Sequence, residues 1–257
     1  MKQLVVAVIC LSMFSTSLFA QKKGKQLVWE ENFTAATLND EDWNFELGDG
    51  CPNICGWGNN ERQVYTQENH ELKDGQLIIT AKKEGDLYTS TRITTQGKQE
   101  FQYGYIEIKA KLPTGQGIWP AFWMLGSNIT EKGWPWSGEI DILEYVGKEP
   151  HMVYTSLHTQ DSHGETINSK KTAFENIEEG YHTFAIDWDA ERIIFFVDEQ
   201  PVYTFAPENK TEAVWPFDQP FYILVNMAIG GNFGGPEVDD TIFPQQYSID
   251  YIKVYQY

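Results

Sequence analysis

The chain predicts an all-β fold, an antiparallel β-sandwich or jelly roll with a concave substrate cleft. Three observations carry that expectation. Apolar and polar residues alternate with period two in segment after segment rich in β-branched and aromatic side chains. Gly, Pro, Asn and Asp clusters punctuate these segments as turns. No long stretch keeps a helical period, so any helices should be short. Strands of this kind stack as two sheets around one core, and a curved pair of sheets offers a groove rather than a closed cavity.

Taken in order, the first element is not part of that fold. Residues 1–20, "MKQLVVAVICLSMFSTSLFA", carry one Lys near the start, an apolar middle and small residues at the end. That is the layout of a secretory signal peptide cleaved near Ala20, and the apolar run is short for a membrane span. Secretion into an extracellular, periplasmic or cell-surface location is therefore expected. Residues 21–257 show no linker or internal repeat and read as a single domain. Cys51 and Cys55, in "DGCPNICGWG", are the two cysteines left after cleavage. In an exported chain so close a pair reads as a disulfide closing a small loop. A zinc half-site is the alternative, but no second pair completes it.

The alternating segments follow. "QLIITAKK" leaves the turn "KDGQ" at 73–76, and "GYIEIKAKL" runs into "PTGQG" at 113–117. "GIWPAFWMLG" places Trp119 and Trp123 four apart, so a regular strand presents both on one face. Such rings suit the apolar faces of sugars as well as they suit a core. "HTFAIDW", "RIIFFVD" and "YSIDYIKVYQY" complete the pattern, with "DEQP" turning at 198–201. Of the nine tryptophans, Trp29, Trp43 and Trp188 read as core.

Charge narrows the function. The whole chain has 19 basic and 37 acidic residues; without residues 1–20 the balance is 18 against 37, a net charge of −19. Phosphate backbones need Lys and Arg, so nucleic acid is excluded as a partner. A membrane span is not indicated either. A neutral partner such as a sugar polymer fits. A monomer is expected.

The segment "WPWSGEIDILEYVG" (134–147) concentrates the chemistry. Glu139, Asp141 and Glu144 lie within six residues among apolar neighbours. Perfect alternation buries Glu144 in the core, which is costly for an unpaired acid. One β-bulge between Asp141 and Glu144 shifts the phase and puts all three acids on one face. Their mutual repulsion raises at least one pKa, a pattern that marks active sites. Two carboxylates and a helper are what glycoside hydrolysis requires. Four strand positions span about 13 Å, and side chains leaning together over a curved face narrow that to roughly 5–6 Å, the retaining range. The spacing does not say which Glu plays which role.

At these residues the chain resembles glycoside hydrolase family 16, in its bulged E-x-D-x-x-E form. The laminarinase-like members match further at "GWGNNERQVYT" (56–66), "TRITTQGKQEFQYGYIEIKAKLPTGQGIWPAFWMLG" (91–126) and "NMAIGGNFGG" (226–235). The resemblance covers nearly all of residues 21–257. It implies a jelly roll, a retaining mechanism, Glu139 as nucleophile, Glu144 as acid/base and Asp141 as assistant to the nucleophile. It also implies cleft-lining roles for Trp119, Trp123 and Trp134, and sugar contacts from Asn59, Arg92, His158 and Asn226. No cofactor is required for the chemistry; a structural calcium at Glu31, Gly75 and Asp250 is an option the family carries. The activity implied is an endo-β-1,3-glucanase, a laminarinase, with mixed-linkage β-1,3-1,4-glucan as a further substrate. Two other readings stay open: a non-catalytic β-glucan-binding module, and an enzyme of the agarase, porphyranase or carrageenase type acting on an algal galactan.

Overall fold

The computed structural model describes residues 24–257, so the expected signal peptide lies outside the described residues. In chain order the strands are β1 (Gln26–Glu31), β2 (Asn44–Phe45), β3 (Gln63–Tyr65), β4 (His70–Lys73), β5 (Gln76–Glu84), β6 (Leu87–Ser90), β7 (Arg92–Thr94), β8 (Glu100–Phe101) and β9 (Gly104–Lys111). They continue as β10 (Ile118–Gly126), β11 (Glu139–Glu144), β12 (Met152–His158), β13 (Ser169–Ala173), β14 (His182–Trp188), β15 (Ile193–Val197), β16 (Gln200–Phe205), β17 (Phe221–Ile229) and β18 (Gln245–Gln256). The two α-helices among the described residues, Ile129–Lys132 and Gly231–Gly234, are one turn each.

Two sheets result. One has ten strands, in the order β16-β15-β14-β9-β18-β5-β6-β3, with β1 beside β18 and β4 beside β5. The other has eight, in the order β13-β12-β11-β10-β17-β7-β2, with β8 beside β17. Every pairing is antiparallel except β3 with β6. This is the expected jelly-roll class, and the alternation explains it strand by strand. In β5, Leu77, Ile79 and Ala81 are buried and the residues between them are not. In β18 the buried phase runs through Tyr247 and Ile249, then Ile252 and Val254. The pairing with β9 slips between Ile249 and Tyr251, which accounts for the change of phase. Inward side chains of both sheets, such as Ile106 and Ile108 from one and Phe122, Met124 and Val225 from the other, form a single core. Trp43 and Trp188 belong to it, and Trp29 packs against it half-buried.

The bulge required by the acid spacing is present. Asp141 faces Ser156 of β12 and Glu144 faces Tyr154, so three steps of β11 match two of β12. On the other side Trp123 pairs with Asp141 and Phe122 with Leu143. Ile140, Ile142 and Leu143 are fully buried in the core, while the three acids share the opposite face. Cys51 and Cys55 form the expected disulfide.

Candidate active site

β11 lies third of the seven strands in the ordered path of the eight-stranded sheet, between β12 and β10, so its acids sit within the floor and not at its edge. Cross-strand pairing sets their neighbours. Glu139 lies opposite His158, Asp141 opposite Ser156 and Glu144 opposite Tyr154. Two indoles donate to the outer acids: Trp134 Nε1 to Glu139 Oε2 at 2.8 Å and Trp119 Nε1 to Glu144 Oε1 at 3.1 Å. His158 Nε2 stands 3.2 Å from Asp141 Oδ2 and 3.9 Å from Glu139 Oε1. The side chain of Asp141 is 5% exposed and those of His158 and Glu139 are 13% and 16%, so water screens these charges little.

Burial, then the charge of Asp141, pushes Glu139 up to about 8. The same two causes push Glu144 well above the usual carboxylate range. Burial opposes the charge on His158, but its hydrogen bond to Asp141 and the surrounding carboxylates prevail and push it up to about 10. The cluster therefore holds an imidazolium and keeps a proton among its acids at neutral pH. Glu139 has both the imidazolium and the Trp134 N–H against it, whereas Glu144 has the Trp119 N–H. The anion is better solvated at Glu139 and the proton better kept at Glu144. That division suits a nucleophile and an acid.

Toward β17 and β7 the floor becomes a connected polar network. Trp123 Nε1 donates to Asn226 Oδ1 at 2.8 Å, and Asn226 Nδ2 donates to the Tyr65 hydroxyl at 3.0 Å. Tyr65, Gln63 and Asn59 all donate to Glu61, at 3.2, 2.6 and 3.2 Å. Arg92 is buried with its guanidinium between the Trp57 and Trp123 rings, 4.4 and 4.9 Å from their centroids, and pairs with Glu46. Trp57 sits just past the disulfide with φ 54, a costly conformation for a bulky residue. Its Nε1 donates to Gly48 O and its backbone N–H to Asp49 O, which offsets the strain.

Trp119, Trp123, Trp134, Asn59, Arg92, His158 and Asn226 thus all come to the face that carries the acids. Arg92 and His158 do not present themselves as simple sugar contacts: one is sandwiched by indoles and the other is tied to carboxylates. The sequence reading missed Glu61, Gln63, Tyr65 and Glu46. A signal existed for three of them, because Glu61, Gln63 and Tyr65 alternate within "GNNERQVY" and so share a strand face.

The register also brings the expected calcium residues to one junction. β5 pairs with β18 up to Ile249 and β1 from Ile252 onward, leaving Asp250 opposite the gap where β1 ends at Glu31 and the Gly75 turn begins. The carboxylates there are already engaged. Glu31 accepts from the Phe33 N–H at 2.8 Å and the Trp43 indole at 3.1 Å, and Asp250 pairs with Lys109 at 2.7 Å. As arranged, this donor set does not fit a calcium ion through its carboxylates.

Comparison with known proteins adds an independent view. The profile of the family described as glycosyl hydrolases family 16 matches residues 58–253. The laminarinase from Flavobacterium sp. UMI-01 is 70% identical with a TM-score of 0.89, over 90% of this chain and 100% of that one. The laminarinase catalytic domain from Thermotoga maritima MSB8 is 41% identical with a TM-score of 0.85, over 91% and 98%. A β-glucanase of Rhodothermus marinus is 39% identical over 250 residues, 90% of this chain and 85% of the relative.

Proposed function

The chain belongs to glycosyl hydrolases family 16, and from that premise we propose that it is an endo-β-1,3-glucanase cleaving internal bonds of laminarin-like glucans. One observation carries the mechanism: the bulge in β11 puts Glu139, Asp141 and Glu144 on one buried face with fewer negative charges than carboxylates. Glu139 attacks the anomeric carbon as the glycosidic bond breaks, and Glu144 gives its proton to the departing oxygen. A covalent glycosyl-enzyme and a free reducing-end product result. Glu144, now ionised, takes a proton from a water that attacks the anomeric carbon, and Glu139 leaves. Two inversions retain the β configuration. Asp141, bridging to the His158 imidazolium, holds Glu139 in place and tunes its charge.

The reaction needs two carboxylates and water, and we assign it no cofactor. Mixed-linkage glucan as a further substrate, export and a monomeric state belong to the same reading. Among the described residues no helix is long and apolar enough to cross a membrane. The test is a product profile on laminarin, mixed-linkage glucan, agarose and carrageenan, with proton NMR of the first-formed anomer. Short β-1,3 oligosaccharides released as β anomers support the reading, and Glu139→Gln and Glu144→Gln each lower kcat by about 10³-fold or more. Asp141→Asn retains measurable turnover. Binding of laminarin without cleavage means a glucan-binding module instead.

A further inference from the structure

A second concavity lies away from the acids. Its volume is about 540 Å³, within the range of about 300–1,000 Å³ that small-molecule sites occupy. Lys111, at the end of β9, lines it together with Gln246 and Ser248, near the start of β18. Lys111 and Ser248 are register partners, and Gln246 and Ser248 alternate with the buried Tyr247 and Ile249. These side chains therefore point away from the core on the ten-stranded sheet, whereas the acids do so on the eight-stranded one. Thr114, Glu178 and Gln245 add polar lining, and Pro113 and Pro244 add apolar surface. Bonds within the protein fix these walls. Gln245 Oε1 accepts from the Thr114 N–H at 3.3 Å, and its Nε2 donates to Ile242 O at 2.8 Å. Glu178 Oε1 accepts from the Tyr145 hydroxyl at 3.1 Å and the His151 N–H at 2.6 Å, and its Oε2 lies 3.0 Å from His151 Nδ1. Tyr181 bonds to Ser248 and donates to Gln76 Oε1 at 2.7 Å.

We propose that this cavity is a second glycan-binding site, separate from the cleft, which takes a short run of uncharged sugar units. The lining decides the class. Lys111 and Glu178 supply one ammonium and one carboxylate, so the cavity as a whole favours neither sign of ligand charge. The Thr114 and Ser248 hydroxyls and the Gln245 and Gln246 carboxamides can donate and accept, as sugar hydroxyls do. Pro113 and Pro244 offer apolar surface to the C–H groups between those hydroxyls. The net charge of −18 on the chain adds a penalty for an anionic polymer. Walls already fixed keep the ordering cost of binding low. Naming the occupant as β-1,3-glucan rests on the glucanase reading. A polymer gripped here as well as in the cleft leaves more slowly than one held by either grip alone.

The experiment follows amide chemical shifts of the Glu139→Gln protein, which does not consume the probe, as laminaritriose is added. Two groups of amides shift: those around Trp119 and Glu144 in the cleft, and those of Lys111, Thr114, Gln246 and Ser248. Thr114 and Gln246 are exposed, so alanine is tolerated at both. Thr114→Ala and Gln246→Ala, each added to Glu139→Gln, weaken the second titration about fivefold and leave the first unchanged. A galacturonate trisaccharide shifts the second group little. Cleft amides that move while the cavity amides stay still overturn the site and leave the glucanase reading intact. Cavity amides that move while those of the cleft stay still support the site and remove the glucanase reading. An equal response to the galacturonate overturns the uncharged class, and equal weakening of both titrations in both variants overturns the separation of the sites. In the otherwise wild-type chain the same two substitutions leave kcat/KM on laminaripentaose unchanged and lower retention on insoluble β-1,3-glucan about twofold. Unchanged retention overturns the role in holding polymer.

Discussion

Replacing Glu139 by Gln makes the protein more stable while it abolishes turnover. The reason is linkage. Glu139 is pushed from an ordinary 4.5 up to about 8 by burial and by Asp141. A carboxyl raised in the folded state contributes stability fully below its unfolded value and loses it as pH rises toward the folded value. Between pH 4.5 and 8 the unfolded chain sheds a proton that the folded chain retains, so the wild type weakens steadily across that window. At pH 7 the cost is about 3 kcal/mol, against about 1 kcal/mol at pH 5. Asp141 and Glu144 share the repulsion, so about 1–3 kcal/mol is recovered at pH 7 when the charge is removed. Gln keeps an oxygen for the Trp134 N–H, which sits 2.8 Å from Oε2. For a domain of this size that corresponds to ~2–12 °C in Tm. Calorimetry of both proteins from pH 5 to 8 tests it. The Tm gap widens with pH and levels off near 8. A gap that is constant with pH, or a variant less stable than wild type at pH 7, refutes the assignment of strain to this cluster.

Other outcomes follow from the same structure. His158→Gln removes the cation facing Asp141 and Glu139. The acidic limb of the kcat/KM profile then moves up by about one pH unit, because Glu139 becomes harder to ionise. His158 is raised from 6.5 to about 10, so its contribution to stability is complete below 6.5 and fades as pH rises through 10. The Tm loss in this variant is accordingly largest at low pH. Arg92→Met leaves Glu46 unpaired and Trp57 and Trp123 without the cation between them. Denaturant titration reads a loss of about 2 kcal/mol, and KM on laminarin rises more than kcat falls. Gly147→Ala puts a Cβ 1.8 Å from the Gly115 carbonyl oxygen. That costs about 3 kcal/mol, visible as a Tm drop of ~6–12 °C.

The alternation of small sets of residues decided much on its own. Leu77, Ile79 and Ala81 could face only one way in a strand, and the two-then-three spacing of Glu139, Asp141 and Glu144 admitted one economical solution, a bulge. Short-range pattern encodes which face a side chain takes, because strand geometry repeats every two residues. Partners distant in sequence are set by register instead. That Trp123 reaches Asn226, that Asn226 reaches Tyr65, and that Arg92 lies between Trp57 and Trp123 follow from the neighbouring of β10, β17, β7 and the disulfide loop. His158 shows the difference most clearly. In sequence it is one histidine at the end of an alternating run; its pairing opposite Glu139 makes it the counter-charge of the acids. Asp250 shows the reverse. Its motif suggested an ion ligand, and only the packing of β9 against β18 brought Lys109 to its carboxylate. A residue's face is local information, and its partner across a sheet is a property of how the whole chain closes.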